Sequence, residues 1–106
     1  MKTLETWGGQ STFRYEGSVK TGTRIYYGTK LETPISADQY AQLLEEFGGQ
    51  TVDMGQSRGD TPEGSLGAWL VINVVKRSIA TYVGAVLAAE GYAEKVPGDP
   101  SAIRFK

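Results

Sequence analysis

The clearest hydrophobic period in the chain runs from Thr33 to Gly49. Tyr40, Leu43, Leu44 and Phe47 recur at three- and four-residue steps and make one apolar stripe on a helix. Ser36 is placed to cap it, Gln39 completes a capping box, and Ile35 can staple onto Tyr40. Gly48-Gly49 ends it. Before this helix the period changes to two. Phe13, Tyr15 and Val19 alternate with polar residues, as do Ile25 and Tyr27, so strands are predicted over 12–19 and 24–31. Lys20-Thr21-Gly22-Thr23 supplies the turn, with Gly22 free to take a positive φ. Residues 1–11 show no period and contain Gly8-Gly9. They are expected to form a loose arm, anchored to the core by Trp7.

After the helix, Gln50 to Met54 predicts a short strand, and the glycine-rich, polar stretch 55–64 a connecting loop. Leu66 to Val75 is almost wholly apolar, and Thr61-Pro62-Glu63 has the residues of a helix start. Asn73 and the β-branched pair Val74-Val75 predict a turn at about 73–76. Ile79, Val83 and Leu87, with Val86 adjoining, form the apolar stripe of another helix, and Gly91 is placed to end it. Two short runs, 92–96 and 102–106, flank a Pro/Gly/Asp turn over 97–101 and predict a β-hairpin. Ile103 and Phe105 face the core; Arg104 and Lys106 face water.

Helix, turn, helix and hairpin over about the last 40 residues, and the stretch SIATYVGAVLAAEGYAEKVPG in particular, resemble a winged helix-turn-helix. The short strand before the helix pair is where that superfamily has one. Together with the strands read over 12–31, this gives an α+β fold: an N-terminal β-hairpin, then a winged-helix-like unit of three helices with a short strand and a C-terminal β-hairpin wing. Residues 1–106 are then a single domain, with a β-hairpin arm over 12–31 and the winged-helix-like unit over 34–106. The resemblance implies duplex DNA as the partner and the role of a small regulator. Carried over by position, Lys76, Arg77, Ser78, Thr81 and Tyr82 start the recognition helix, and Lys95, Arg104 and Lys106 lie on the wing. Arg58, just before the helix pair, is a further candidate for phosphate contact. The middle of the recognition helix departs from the pattern. Ala80, Gly84, Ala85, Ala88 and Ala89 offer no long polar groups to base edges. Ala80, Gly84 and Ala88 form a small-residue stripe that lets another helix approach, so a homodimer or a protein partner is the other expectation.

Composition narrows the chemistry. Eleven basic and twelve acidic residues leave a net charge of −1, which argues against a general polyanion binder while allowing a local basic patch. No Cys and no His are present, which removes the thiolate nucleophile, the commonest general base and the commonest transition-metal ligand. Neither a Walker nor a GxGxxG pattern occurs, so no cofactor is expected. Asp53, Asp60 and Glu63 are the nearest approach to a carboxylate cluster, without supporting spacing, and an enzyme is not expected. Arg58-Gly59-Asp60 spells an adhesion tripeptide and is read as coincidence. No charged-then-apolar leader opens the sequence, and the apolar run from Leu66 is broken by Lys76-Arg77 before it could span a bilayer. A cytoplasmic protein without membrane contact is the expectation. Two functions follow: DNA binding by the winged-helix-like unit, or a non-catalytic protein-interaction or assembly module on the same fold.

Overall fold

The computed structural model describes residues 1–56 and 62–106. The described residues form an α+β fold. β1 (Lys2–Glu5), β2 (Thr12–Ser18), β3 (Gly22–Tyr27) and β4 (Leu31–Ile35) make an antiparallel sheet in sequential order. The period-two pattern sets its inner face: Phe13, Tyr15, Ile25, Tyr27 and Ile35 are buried, while Arg14, Glu16 and Arg24 face water. The sheet is larger than the expected hairpin. β1 replaces the expected loose arm. Of its side chains only Leu4 is even partly buried, so the strand carries almost no period. β4 occupies residues expected to begin the helix. Its Pro34 is tolerated because β4 is an edge strand, where the missing N–H costs no ladder bond. Thr33, inside β4, is buried and shares a 2.9 Å hydrogen bond with the Tyr27 hydroxyl.

α1 (Ala37–Phe47) follows the sequence closely. The Gln39 amide donates to Ser36 Oγ at 3.1 Å, and the Ser36 amide donates to Gln39 Oε1 at 2.8 Å. Tyr40, Leu43 and Phe47 are buried. β5 (Thr51–Asp53) comes next, then α2 (Leu66–Asn73), α3 (Ala80–Ala89), β6 (Ala93–Val96) and β7 (Asp99–Phe105). The expected cap of α2, Thr61, lies outside the described residues, as do Arg58 and the tripeptide it begins. Ser65 caps the helix instead, its hydroxyl accepting from the Ala68 amide at 3.1 Å. The turn between α2 and α3 is longer than expected. The Val74 and Val75 amides both close on the Leu70 carbonyl, and α3 begins only at Ala80, with Ile79 at its cap position. Gly91, at φ 86°, ends α3 in the left-handed region.

β5, β7 and β6 form a second antiparallel sheet in that order. Its hairpin turn is tighter than the expected 97–101. Val96 pairs with Asp99, leaving Pro97-Gly98 as the loop, with Gly98 at φ 81°. Ile103 and Phe105 point inward as expected, and Arg104 and Lys106 outward.

One hydrophobic core joins the four-stranded sheet to the helices and the hairpin. A polar tie crosses it. The carboxylate of Glu90, just after α3, accepts from the Tyr15 hydroxyl at 2.8 Å and from the Val19 amide at 2.9 Å. Burial, and then the bond to Glu90, push the Tyr15 phenol up to about 12. Tyr40 is raised too, chiefly by burial. An unfolded tyrosine ionises near pH ~10, so the fold holds the neutral phenol against release above that pH. The stabilisation from Tyr15 is therefore complete below pH ~10 and is lost as pH rises toward about 12. Urea melts across this range are expected to show falling stability, with a shallower slope in Tyr15→Phe. Equal slopes would contradict the assignment. No helix among the described residues is long and apolar enough to cross a membrane.

Candidate interaction surface

The sequence assigns its candidate ligand contacts to the α2–α3 turn, the start of α3 and the hairpin. The structure separates them into two groups. In the first, Arg77 Nη1 donates to the Tyr27 hydroxyl at 3.4 Å, and Ser78 Oγ donates to the Gln56 carbonyl at 3.2 Å. The Trp7 amide donates to Thr81 Oγ1 at 3.0 Å and to the Thr81 carbonyl at 3.1 Å. The Tyr82 ring stacks on Tyr27 with centroids 4.5 Å apart and meets the edge of Phe13 at 5.2 Å. Ser78 thus ties to the segment after β5, while Arg77, Thr81 and Tyr82 form the seam between the N-terminal residues and the start of α3. Lys76 stands apart from them, exposed and without an ion pair among the described residues.

The second group is on the hairpin, where the register sends its cations to opposite faces. Lys95 lies across from Ile103, whose side chain is in the core, and its Nζ sits 5.3 Å from the Trp7 ring centroid. Arg104 lies across from Glu94 on the other face and pairs with it at 3.5 Å. Lys106 is exposed beyond the end of β7. The small-residue stripe is also taken up internally. A Cβ on Gly84 would lie 2.7 Å from Met54 Cε and 3.1 Å from Trp7 Cε3, so side chains of the same chain fill the space over Gly84.

The surface that stands out is on α2, where the apolar run carries no period that marks an outer face. α2 is apolar all round except for Asn73. Its buried side is Leu66, Gly67 and Leu70, because Gly67 presses against the chain at Gly55 and donates its amide to the Met54 carbonyl at 2.9 Å. That orientation turns Ala68, Val71 and Ile72 outward. Ala68 and Val71 are partly buried, Trp69 is partly buried and packed against the core, and Ile72 is 81% exposed. An all-apolar helix normally buries its whole circumference. Leaving a side chain of this size in water forgoes about 2 kcal/mol of burial free energy. Among the described residues two other large apolar side chains are exposed, Met1 at the first position and Leu31 at the start of an edge strand. Ile72 differs in lying within a helix beside other partly exposed apolar groups. From Ser65 to Ala89 the only charged residues are Lys76 and Arg77. The signal in the sequence was the length of the apolar run, which exceeds what one buried stripe needs.

Among the described residues no group of three or more Asp or Glu is placed to hold a metal ion. Asp53 is used locally, accepting from the Gly55 amide at 2.8 Å, and Asp60 lies outside the described residues. Comparison of the chain with protein-family models, with curated proteins and with solved structures finds no match.

Proposed function

We propose that this protein is a non-catalytic protein-interaction or assembly module whose working surface is the outer face of α2. The observation that carries the reading is Ile72, 81% exposed in a helix that is otherwise almost wholly apolar. The order helix, strand, helix, helix, hairpin, with strands ordered β5-β7-β6, supports the winged-helix resemblance. A fold of that kind does not fix the partner; the exposed side chains do.

DNA binding is the second reading. What favours it is the helix pair's two positive charges, unaccompanied by any carboxylate between residues 65 and 89. It ranks second because Thr81 and Tyr82 are engaged in the seam, and Lys95 and Arg104 point from opposite faces of the hairpin. Titration of labelled random-sequence duplex at about 50 and 200 mM salt separates the two readings. The interaction reading expects no saturable binding at the lower salt. Binding that falls steeply with salt and drops in a Lys76→Ala/Arg77→Ala variant would put DNA first.

A further inference from the structure

We infer that the outer face of the four-stranded sheet holds a site for a small hydroxylated phosphate ester, of the sugar-phosphate class. The inference stands apart from the reading of α2. The alternation that buries Phe13, Tyr15 and Ile25 turns Arg14 to the opposite face. The register then sets Thr3, Arg14, Tyr26 and Glu32 side by side, one from each strand. A cleft of about 510 Å³ is lined by this row and by the β3–β4 turn, residues 28–30, a volume in the range of small-ligand sites. Gly28, at φ 63°, leaves part of its wall as bare backbone. A Cβ there would touch Leu31 Cδ1 at 3.8 Å and nothing nearer.

The charges in the cleft are unequally engaged. Arg14 and Lys30 both line it, and among the described residues neither side chain forms an ion pair or a hydrogen bond. The nearby carboxylates already have partners. Glu32 pairs with Arg24 at 3.2 Å, and Glu16 accepts from the Tyr26 hydroxyl at 2.8 Å. Arg14 offers a planar fork of donors that matches two phosphate oxygens, and Lys30 adds a second positive charge. Thr12 and Thr29 also line the cleft, and their hydroxyls, which both donate and accept, suit those of a sugar. The half-buried Tyr26 ring, tethered through its hydroxyl, gives the sugar a fixed surface. Glu5, opposite Thr12, and Glu16, opposite Arg24, place negative charge on either side of the row. The face therefore repels a run of phosphates and admits one.

The test follows backbone amides of the ¹⁵N-labelled full chain by NMR at about 50 mM salt. Glucose 6-phosphate is expected to bind with a Kd of about 0.1–1 mM and to move the amides of residues 12–14 and 28–30. Inorganic phosphate is expected to bind at least about fivefold more weakly and glucose at least about tenfold more weakly. Arg14→Gln should weaken the ester by about tenfold and Lys30→Gln by about threefold, whereas Lys106→Gln, a cation outside the cleft, should leave it unchanged. All three positions are exposed, and the amide spectrum checks that the fold is kept. Phosphate binding as tightly as the ester would mean an adventitious ion only and overturn the inference. So would an absence of binding, shifts confined to other parts of the chain, or equal losses in Arg14→Gln and Lys106→Gln. The protein is expected not to sediment with phosphatidylcholine vesicles carrying phosphatidylinositol 4-phosphate. Sedimentation lost in Arg14→Gln, without binding of the free ester, would assign the cleft to a lipid headgroup and overturn the free ligand.

Discussion

Trp7→Ala is expected to lower stability by about 4 kcal/mol, among the largest effects available in this chain. Trp7 is 3% exposed and sits where three elements meet. Its backbone amide is bound to Thr81 on α3, its Nε1 donates to the Pro100 carbonyl on β7 at 3.1 Å, and its ring lies beside Gly84 and under Lys95. Truncation leaves a cavity at that junction and an unpaired Pro100 carbonyl. Against a typical total of about 5–15 kcal/mol, the loss brings the protein near its unfolding threshold. Trp7→Phe keeps most of the packing and loses the Nε1 bond, so about 1–2 kcal/mol is expected. Denaturant titration followed by far-UV circular dichroism measures both, since fluorescence changes with the substitution. A loss under about 1 kcal/mol in Trp7→Ala would mean that the ring does not anchor the arm.

Gly67→Ala is expected to cost about 3 kcal/mol, with the sign opposite to the usual one. Within an ordinary helix, replacing Gly by Ala stabilises by up to about 1 kcal/mol. Here α2 leans on the loop after β5, and a Cβ at position 67 would collide with the backbone carbonyl of Gly55. Gly55, at φ 62° and itself pressed against Ser65, has little room to yield. Gly84→Ala supplies the comparison. Its nearest neighbour is Met54 Cε, the mobile end of a flexible side chain, so a cost of about 1 kcal/mol is expected there. The same denaturant titration tests the order of the two substitutions. A neutral or stabilising Gly67→Ala would remove the contact that orients α2 and turns Ile72 outward.

The parts of the fold legible in the sequence are those where two local signals coincide. α1 combines a Ser36–Gln39 capping box with a clean apolar stripe, and both appear as read. The inward-facing Ile103 and Phe105 follow from alternation alone. β1 and β4 carry little local signal because each is a short edge strand, and β1 has only one partly buried side chain. The start of α3 is not legible because nothing local marks it. Ile79 occupies the cap position with no side-chain hydrogen bond, so the helix begins where Trp7 and the N-terminal sheet meet it. The candidate surface was half legible. The apolar run 66–75 was plain, but which side faces outward depends on the close approach of Gly67 to Gly55, a long-range contact without a local pattern. The engagement of Thr81 and Tyr82 was invisible for the same reason, since their partners Trp7 and Tyr27 come from the other half of the chain.

The most direct test of the central claim is affinity capture from lysate of the source cells. The immobilised full chain is run beside Ile72→Asp and Arg104→Glu, the second a substitution on the outer face of the hairpin. A protein retained by the unaltered chain and by Arg104→Glu and lost from Ile72→Asp is the expected result. Equal retention by Ile72→Asp, loss confined to Arg104→Glu, or no retained protein at all would contradict it.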